Sequence, residues 1–268
     1  MPLFEVSMIH PTALIDPQAQ LHPSVQLGPY VIIEGPVQLE EGVKVEAHAQ
    51  ILGRTKVGSG TRIGRAAILG GEPQDLSFDP KTESFLEIGE RNDIREHVTI
   101  HRGSKSGYTT RVGNDNFLMG AVHLAHDVVL GNKNVIANAA LLAGHVQVGH
   151  HSFIGGGSVF HQFIRIGDYC VIQGNCRFSQ DIPHYCSAHG YNLIAGMNVI
   201  GLRRAGFTTV ERNSVKAAFE LIYRDGLNLS QALSKATAIS WPEKAEYFIQ
   251  FFKEPSKKGI CRLAKGEA

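Results

Sequence analysis

The chain has 268 residues, enough to bury a full core as one or two domains. Its 26 basic and 25 acidic side chains leave a formal charge of +1, so the chain as a whole gives no electrostatic reason to expect nucleic acid as a partner. No run of about 18 apolar residues is present, so no transmembrane segment is expected. Four cysteines without CxxC spacing, Cys170, Cys176, Cys186 and Cys261, fit a reduced, cytoplasmic protein.

The first residues, MPLFEVSMIHPTALI, lack the basic start and continuous apolar core of a signal peptide. From Ile9 every sixth residue is aliphatic, through Ile15, Leu21, Leu27, Ile33 and on to Leu69. The pattern resumes one residue out of phase at Ile88, Ile94 and Ile100, then runs without a miss from Val112 to Phe178. A period of six fits neither a 3.6-residue helix nor a long strand. It predicts a parallel β-helix of three-faced coils, 18 residues each and about 4.8 Å apart, with one inward aliphatic per face. Glycine often follows the aliphatic, as at Gly58, Gly64, Gly131 and Gly149, where it is expected to supply tight turns. The repeat occupies residues 3–190, within a first domain of 1–190.

Two polar, turn-rich segments, 71–87 and 101–111, break the register and read as loops thrown out from the solenoid, a common place for function. After Tyr191 the spacing becomes helical, giving a C-terminal α-helical domain over 191–268. Thr208-x-x-Glu211 and Ser240-x-x-Glu243 read as capping boxes, the second with Pro242 in its first turn. Residues 214–226 are amphipathic and end at Gly226, and 241–253 form another candidate helix. A bundle of three or four helices is expected, resting on the solenoid.

The segment 123–163 carries six histidines. Stacked at 18 residues per coil, His126, Gly144 and Gln162 form one column and Asp127, His145 and Phe163 the next, with His161 beside Gln162. Metal binding is one reading, but no HExxH or other strong ligand spacing occurs, and no metal is expected. Inert turn residues are another, preferred for His150 and His151. The chemical reading makes His126 a base near neutrality, with Asp127 available to orient it and the Gly144 N–H available to a developing oxyanion. No serine or cysteine stands beside His126, which favours direct transfer over a covalent intermediate. This leaves a hydroxyl or amine attacking a carbonyl from an unspecified donor. The GGGS at 155–158 lies inside the repeat and lacks the lysine of a phosphate loop. The Arg203-Arg204 pair is either surface charge or an anion site.

Longer words are more specific than the repeat: 74-QD-75, 88-IGERNDIREHVTIHRG-103, 123-HLAHD-127, 142-LAGHV-146, 161-HQF-163, 180-QDIP-183 and 201-GLRRAGF-207. With the helical tail they resemble the bacterial UDP-N-acetylglucosamine O-acyltransferases, left-handed β-helix enzymes at the first step of lipid A biosynthesis. The resemblance spans essentially the whole chain. It implies transfer of an (R)-3-hydroxyacyl group from acyl carrier protein to the 3-hydroxyl of UDP-N-acetylglucosamine. It implies no further cofactor and a homotrimer whose active sites lie between subunits, the loop of one reaching the solenoid of another. It assigns His126 as general base, Asp127 as its orienting acid and Gly144 as oxyanion donor. Gln74 and Asp75 then lie on the substrate loop, and His123, His145, His161 and Gln162 near the nucleotide sugar and acyl chain. Asn198, Arg203 and Arg204 fall at the phosphate or carrier end, and Gly174 at the position that limits acyl length. Ser77 stands where the family commonly has lysine, and His189, Tyr191, Ile200 and Ala205 also depart from its pattern. These departures leave open a 3-amino sugar as acceptor. Rival readings on the same scaffold are a later lipid A N-acyltransferase, a CoA-dependent relative, a zinc-binding γ-carbonic anhydrase-like trimer, and a non-catalytic binding solenoid.

Overall fold

The computed structural model describes residues 8–264, so the expected solenoid residues 3–7 and the end of the chain lie outside it. The fold is a left-handed parallel β-helix followed by helices. Strands of mostly two residues stack into three parallel sheets. The first runs from Leu14–Ile15 to Arg177–Phe178, the second from Gln20–Leu21 to Arg165–Ile166, and the third starts at Gln26–Leu27. The register follows the six-residue period: Leu124 pairs with Leu142, which pairs with Phe160. In most strands the aliphatic of the six-residue period points inward, and Ile51, Ile63, Leu69, Ile100, Leu118 and Leu124 are fully buried. Each such aliphatic contributes roughly 1.5–3 kcal/mol through burial. Residues just past each turn also face inward, which accounts for buried Cys170 and Cys176. Burial pushes the Cys170 thiol up to about 12, so it serves as core.

Along one inner edge the aliphatics give way to Thr61, Asn92, Asn116, Asn134 and Ser152, all buried. Each side-chain oxygen accepts an N–H from the next coil, as in Asn134 N–H to Asn116 Oδ1 at 2.9 Å and Ser152 N–H to Asn134 Oδ1 at 2.8 Å. Buried polar groups are thereby satisfied coil by coil.

The glycines that follow the aliphatics do not have the role expected of them. The left-handed turn positions are mostly held by other residues, including Asp127 (φ 61°), His145 (φ 61°) and Phe163 (φ 69°). Gly131 is needed because a Cβ there would lie 2.4 Å from the Gly149 carbonyl oxygen. Close approach between coils, rather than backbone freedom, excludes a side chain at that position.

The two loops are shorter than the sequence suggests. Phe85–Ile88 and Thr109–Val112 are strands that pair with each other, so residues 85–87 and 109–111 belong to the second sheet. The loops proper are 72–84 and 102–108. The sheet also continues past residue 190: Cys186–His189 and Leu193–Met197 form an antiparallel hairpin on the third sheet, and Arg262–Leu263 returns to pair with it.

Four helices follow, α1 (Val199–Arg204), α2 (Thr209–Tyr223), α3 (Leu229–Thr237) and α4 (Glu243–Lys253). The capping box at Thr208 and Glu211 forms, and a second one, at Asn228 and Gln231, starts α3. The box expected at Ser240 does not form. Pro242 is the N-cap of α4 and makes no side-chain cap bond. Phe219, Phe248, Ile249 and Phe252 pack α2 against α4. The bundle is fixed to the solenoid by Arg165, which binds Asp181 at 2.9 Å and Glu254 at 2.6 Å and lies over the Phe251 ring.

Candidate active site

Each coil has three corners, and the site lies where first-sheet strands turn into the second sheet. His126 follows the strand His123–Leu124, and Gly144 and Gln162 stack beneath it in successive coils, as the 18-residue column requires. In the adjoining column the His145 N–H donates to the His126 carbonyl at 3.1 Å and the Phe163 N–H to the Gly144 carbonyl at 3.2 Å. Asp127, His145 and Phe163 adopt left-handed backbone, which turns Asp127 back toward the histidine that precedes it. The contact is short: His126 Nδ1 to Asp127 Oδ2 is 2.8 Å. An ionised carboxylate only accepts, so in the neutral ring Nδ1 is the protonated nitrogen and Nε2 keeps the lone pair.

Asp127 is buried and held from three other sides. Its N–H donates to Thr110 Oγ1 at 2.8 Å, the Ser104 N–H donates to both its carboxylate oxygens at 3.1 and 3.3 Å, and His145 Nε2 lies 3.4 Å from Oδ2. His126 and His145 meet edge to face at 5.3 Å, and the other face of His145 stacks on Phe163 at 4.5 Å. Burial lowers the pKa of His145, partly opposed by Asp127. His126, Asp127 and His145 are the one group of three metal-capable side chains among the described residues, with ligand atoms within 4.8 Å of one another. These atoms already bond to each other, and a cation would have to replace the His126–Asp127 hydrogen bond.

A cavity of about 300 Å³ opens over His126, lined by Gln74, His101, His123, Ala143, Gly144 and Gln162 among others. A Cβ on Gly144 would fall 2.5 Å from His126 Cε1 and 2.8 Å from Nε2, so only glycine fits beneath the ring. Among the described residues the Gly144 N–H has no acceptor. That is also true at Asn138, Gly156 and Gly174, so an open N–H does not by itself make a site. What distinguishes Gly144 is the imidazole packed against it.

Comparison with known proteins bears on this corner. The family model described as UDP N-acetylglucosamine O-acyltransferase, domain 2, matches residues 181–261. An acyl-[acyl-carrier-protein]–UDP-N-acetylglucosamine O-acyltransferase from Psychromonas ingrahamii is 54% identical over 199 residues, covering 73% of this chain and 75% of the relative. One from Rippkaea orientalis is 48% identical over 187 residues, covering 69% and 67%. The crystal structure of the Bacteroides fragilis UDP-N-acetylglucosamine acyltransferase superimposes with a TM-score of 0.89 at 40% identity, over 95% of this chain and 100% of that one. The chain belongs to the UDP-N-acetylglucosamine O-acyltransferase family.

The other residues expected from that family fall in two groups. Gln74 lines the cavity over His126 of its own chain, so the 72–84 loop reaches its own solenoid. Arg102 fixes the loop, lying over Phe78 and reaching Glu72 and the Pro80 carbonyl. Exposed Asp75 accepts from the N–H and hydroxyl of Ser77 at 2.9 and 2.8 Å, which holds its carboxyl below the usual carboxylate range. Ser77 therefore orients the loop acid through its own N–H and hydroxyl. His123 Nδ1 lies 2.7 Å from Thr99 Oγ1, and burial lowers its pKa. His161 is exposed, with Nδ1 against the Gln162 carbonyl at 3.2 Å.

The second group is not brought to His126 within one chain. Gly174 sits at the corner where the third sheet turns into the first, stacked on Gly156. Asn198 is buried as the N-cap of α1, accepting from the Gly201 N–H at 2.9 Å and donating to the Tyr169 carbonyl at 2.8 Å. Arg203 and Arg204 are exposed in the last turn of α1, with no acidic partner among the described residues.

Sequence reasoning missed His101, Ser104 and Thr110. His101 is buried in the cavity wall, edge to face with His123 at 4.8 Å, and its Nδ1 has no partner among the described residues. Burial pushes it down to about 4, so it is neutral at pH 7. The signal was present but offset: the 102–108 loop lengthens this coil, so Thr99 pairs with His123 across 24 positions rather than 18.

Proposed function

We propose that His126 is the general base in transfer of an (R)-3-hydroxyacyl group from acyl carrier protein to the 3-hydroxyl of UDP-N-acetylglucosamine. The observation that carries this reading is the His126–Asp127 bond at 2.8 Å, with the remaining imidazole nitrogen and the Gly144 N–H at one cavity. The sugar 3-hydroxyl gives its proton to His126 Nε2 as its oxygen attacks the thioester carbonyl. Asp127 holds the ring in the required tautomer and stabilises the imidazolium that forms. Charge develops on the former carbonyl oxygen, where the Gly144 N–H can donate. Collapse expels the phosphopantetheine thiolate, which takes the proton back from His126. Ester and thiol are the products, and no covalent enzyme intermediate is required. The acyl thioester arrives on the carrier's phosphopantetheine, so the transfer calls for no further cofactor.

Substrate contacts are assigned to Gln74, Asp75, His123, His145, His161 and Gln162, with Arg203 and Arg204 facing the carrier. Asn198 serves by capping the helix that carries those two arginines. A homotrimer with intersubunit sites supplies Gly174 as the stop for the acyl chain. Exposed Phe153 and Leu141, outward on the two sheets that flank the Gly174 corner, support such an interface. No described helix is long and apolar enough to cross a membrane, and the reduced buried thiols fit a cytoplasmic enzyme.

The test is transfer by purified protein from 3-hydroxyacyl carrier proteins of graded length, read as product mass beside the molar mass of the assembly. A mass gain of one hydroxyacyl group on UDP-N-acetylglucosamine is expected. Product from a 3-amino analogue but none from this acceptor would overturn the acceptor assignment, and no product from either would overturn the reaction.

A further inference from the structure

A second hollow, of about 460 Å³, opens on the far side of His145 from the His126 cavity. One wall is the Phe163 ring, which stacks on His145 and carries Lys257 over it at 5.1 Å and Lys258 at 5.9 Å. Lys105 and Tyr108, from the 102–108 loop, also line it, with the ammonium 5.9 Å from the Tyr108 ring centroid. These lysines come from loop and tail segments about 150 positions apart in sequence, and the fold sets them around one groove.

The carboxylates beside His145 and Arg165 are already committed, and Asp75, Asp79 and Glu83, which share a neighbouring hollow with Lys105, make no ion pair with it. Asp127 is bound by His126, His145 and the Ser104 N–H, and Arg165 holds both Asp181 and Glu254. Among the described residues, Lys105, Lys257 and Lys258 have no acidic partner. Three ammonium groups free of ion pairs therefore lie in or beside the groove, next to an aromatic face, with the exposed Gln147 side chain as a further donor. The field of Lys257 and Lys105 reaches His145 and helps to lower its pKa, after the larger effect of burial. Ammonium groups on flexible stems suit a phosphate bound as a point charge, without the fixed fork of arginine.

We propose that this groove is a phosphate subsite, in which Lys105, Lys257 and Lys258 hold a phosphate of one substrate while its reacting end lies at His126. The inference rests on the assignment of the His126 cavity as the reaction centre. Two sources share this chemistry: the diphosphate of the nucleotide sugar and the phosphodiester of the phosphopantetheine arm.

The test compares wild type with the double variant Lys105→Ala/Lys257→Ala, using Lys105→Arg/Lys257→Arg as the charge-conserving control. Exposed ion pairs of this kind predict a rise in KM of roughly 3- to 10-fold for one substrate, a smaller change in kcat, and a weaker salt dependence of that KM. The arginine control should recover most of the loss. A rise for UDP-N-acetylglucosamine alone identifies the nucleotide diphosphate. A rise for both acyl carrier protein and free acyl-phosphopantetheine, but not for acyl-pantetheine lacking the phosphate, identifies the pantetheine arm. Unchanged KM for both substrates overturns the subsite. So does a rise confined to the carrier protein, which would assign the lysines to its acidic surface. Calorimetric binding of UDP and of phosphopantetheine needs no turnover and decides the groove separately. Wild type that makes no product would refute the reaction while leaving that binding comparison intact.

Discussion

His126 and His150 occupy the same position of the six-residue repeat at two different corners of the solenoid, and their surroundings differ in one respect. At the His150 corner a side chain caps the N–H of the coil above at each step. Asn132 accepts from the Asn114 N–H at 2.7 Å, His150 from Asn132 at 2.9 Å, Asp168 from His150 at 2.9 Å and His184 from Asp168 at 2.8 Å. The Tyr247 hydroxyl closes this ladder on Asp168 at 2.9 Å and ties α4 to it. At the His126 corner the ring turns aside to Asp127, and the Gly144 N–H below stays open. A histidine whose nitrogen is spent on the neighbouring coil is structural. One whose nitrogen and neighbouring N–H both face a cavity is available for chemistry.

The largest expected effect tests that contrast directly. His126→Ala should lower kcat by roughly 10²- to 10⁴-fold while its thermal midpoint stays close to wild type, because the ring adds little to the core. Activity retained at the wild-type level would remove His126 from the base role. Gly144→Ala should follow at about 10²-fold, since the added Cβ must displace the His126 ring. A variant with unchanged kcat and an undisplaced ring in its crystal structure would refute that placement.

Gly174→Met should shift the preferred donor toward shorter acyl chains. A Cβ at Gly174 would lie 3.1 Å from the Gly156 oxygen, a contact that asks for only a small shift. Competition among donors of graded length measures the profile, and an unchanged profile would detach Gly174 from the acyl channel.

Acid should weaken the fold through both regions. His101 in the cavity wall and His184 in the capped ladder are each pushed by burial to about 4 from an ordinary 6.5. Their folded values lie below the unfolded one, so the unfolded chain takes up protons first as pH falls. This contribution to stability is complete above about pH 6.5, declines between 6.5 and 4, and is flat below. Each ring should cost on the order of 1–2 kcal/mol by pH 5. Urea unfolding at pH 7.5 and pH 5 should show the decline, and His184→Asn should reduce it. An identical pH slope in that variant would exclude His184 as a source.

The smallest effect completes the pair. His150→Ala should lose about 1 kcal/mol of stability, because the Asn132 N–H loses its acceptor, with kcat within about twofold of wild type. His150→Asn should restore the loss, since Asn114 and Asn132 already cap in this way. A large fall in kcat for His150→Ala would break the distinction between the corners.

Much of this was legible in the sequence. A period of six, held from Ile9 to Phe178 with its slips, determined the three-faced coil and the inward aliphatics, because a two-residue strand can bury only one side chain per face. The same arithmetic placed His126 over Gly144 and Asp127 over His145, since coils of constant length stack like with like. Asp127 could be named as a partner but not proven one, because its left-handed backbone, which turns it back toward His126, carries no sequence signal at an aspartate. Loop edges were overdrawn at 85–87 and 109–111 because their polar outward residues hide a strand that pairs only with other coils. His101 was lost to the lengthened coil, and Ser240 read as a cap because its spacing fits, although Pro242 takes that position. Sequence alone determined the repeat, the columns and the family words. The tertiary structure decided which histidine nitrogen is spent on a neighbouring coil and which faces a cavity. It also set Lys105 and Lys257 around one groove. Those outcomes depend on contacts between segments whose separation in the chain carries no periodic signal.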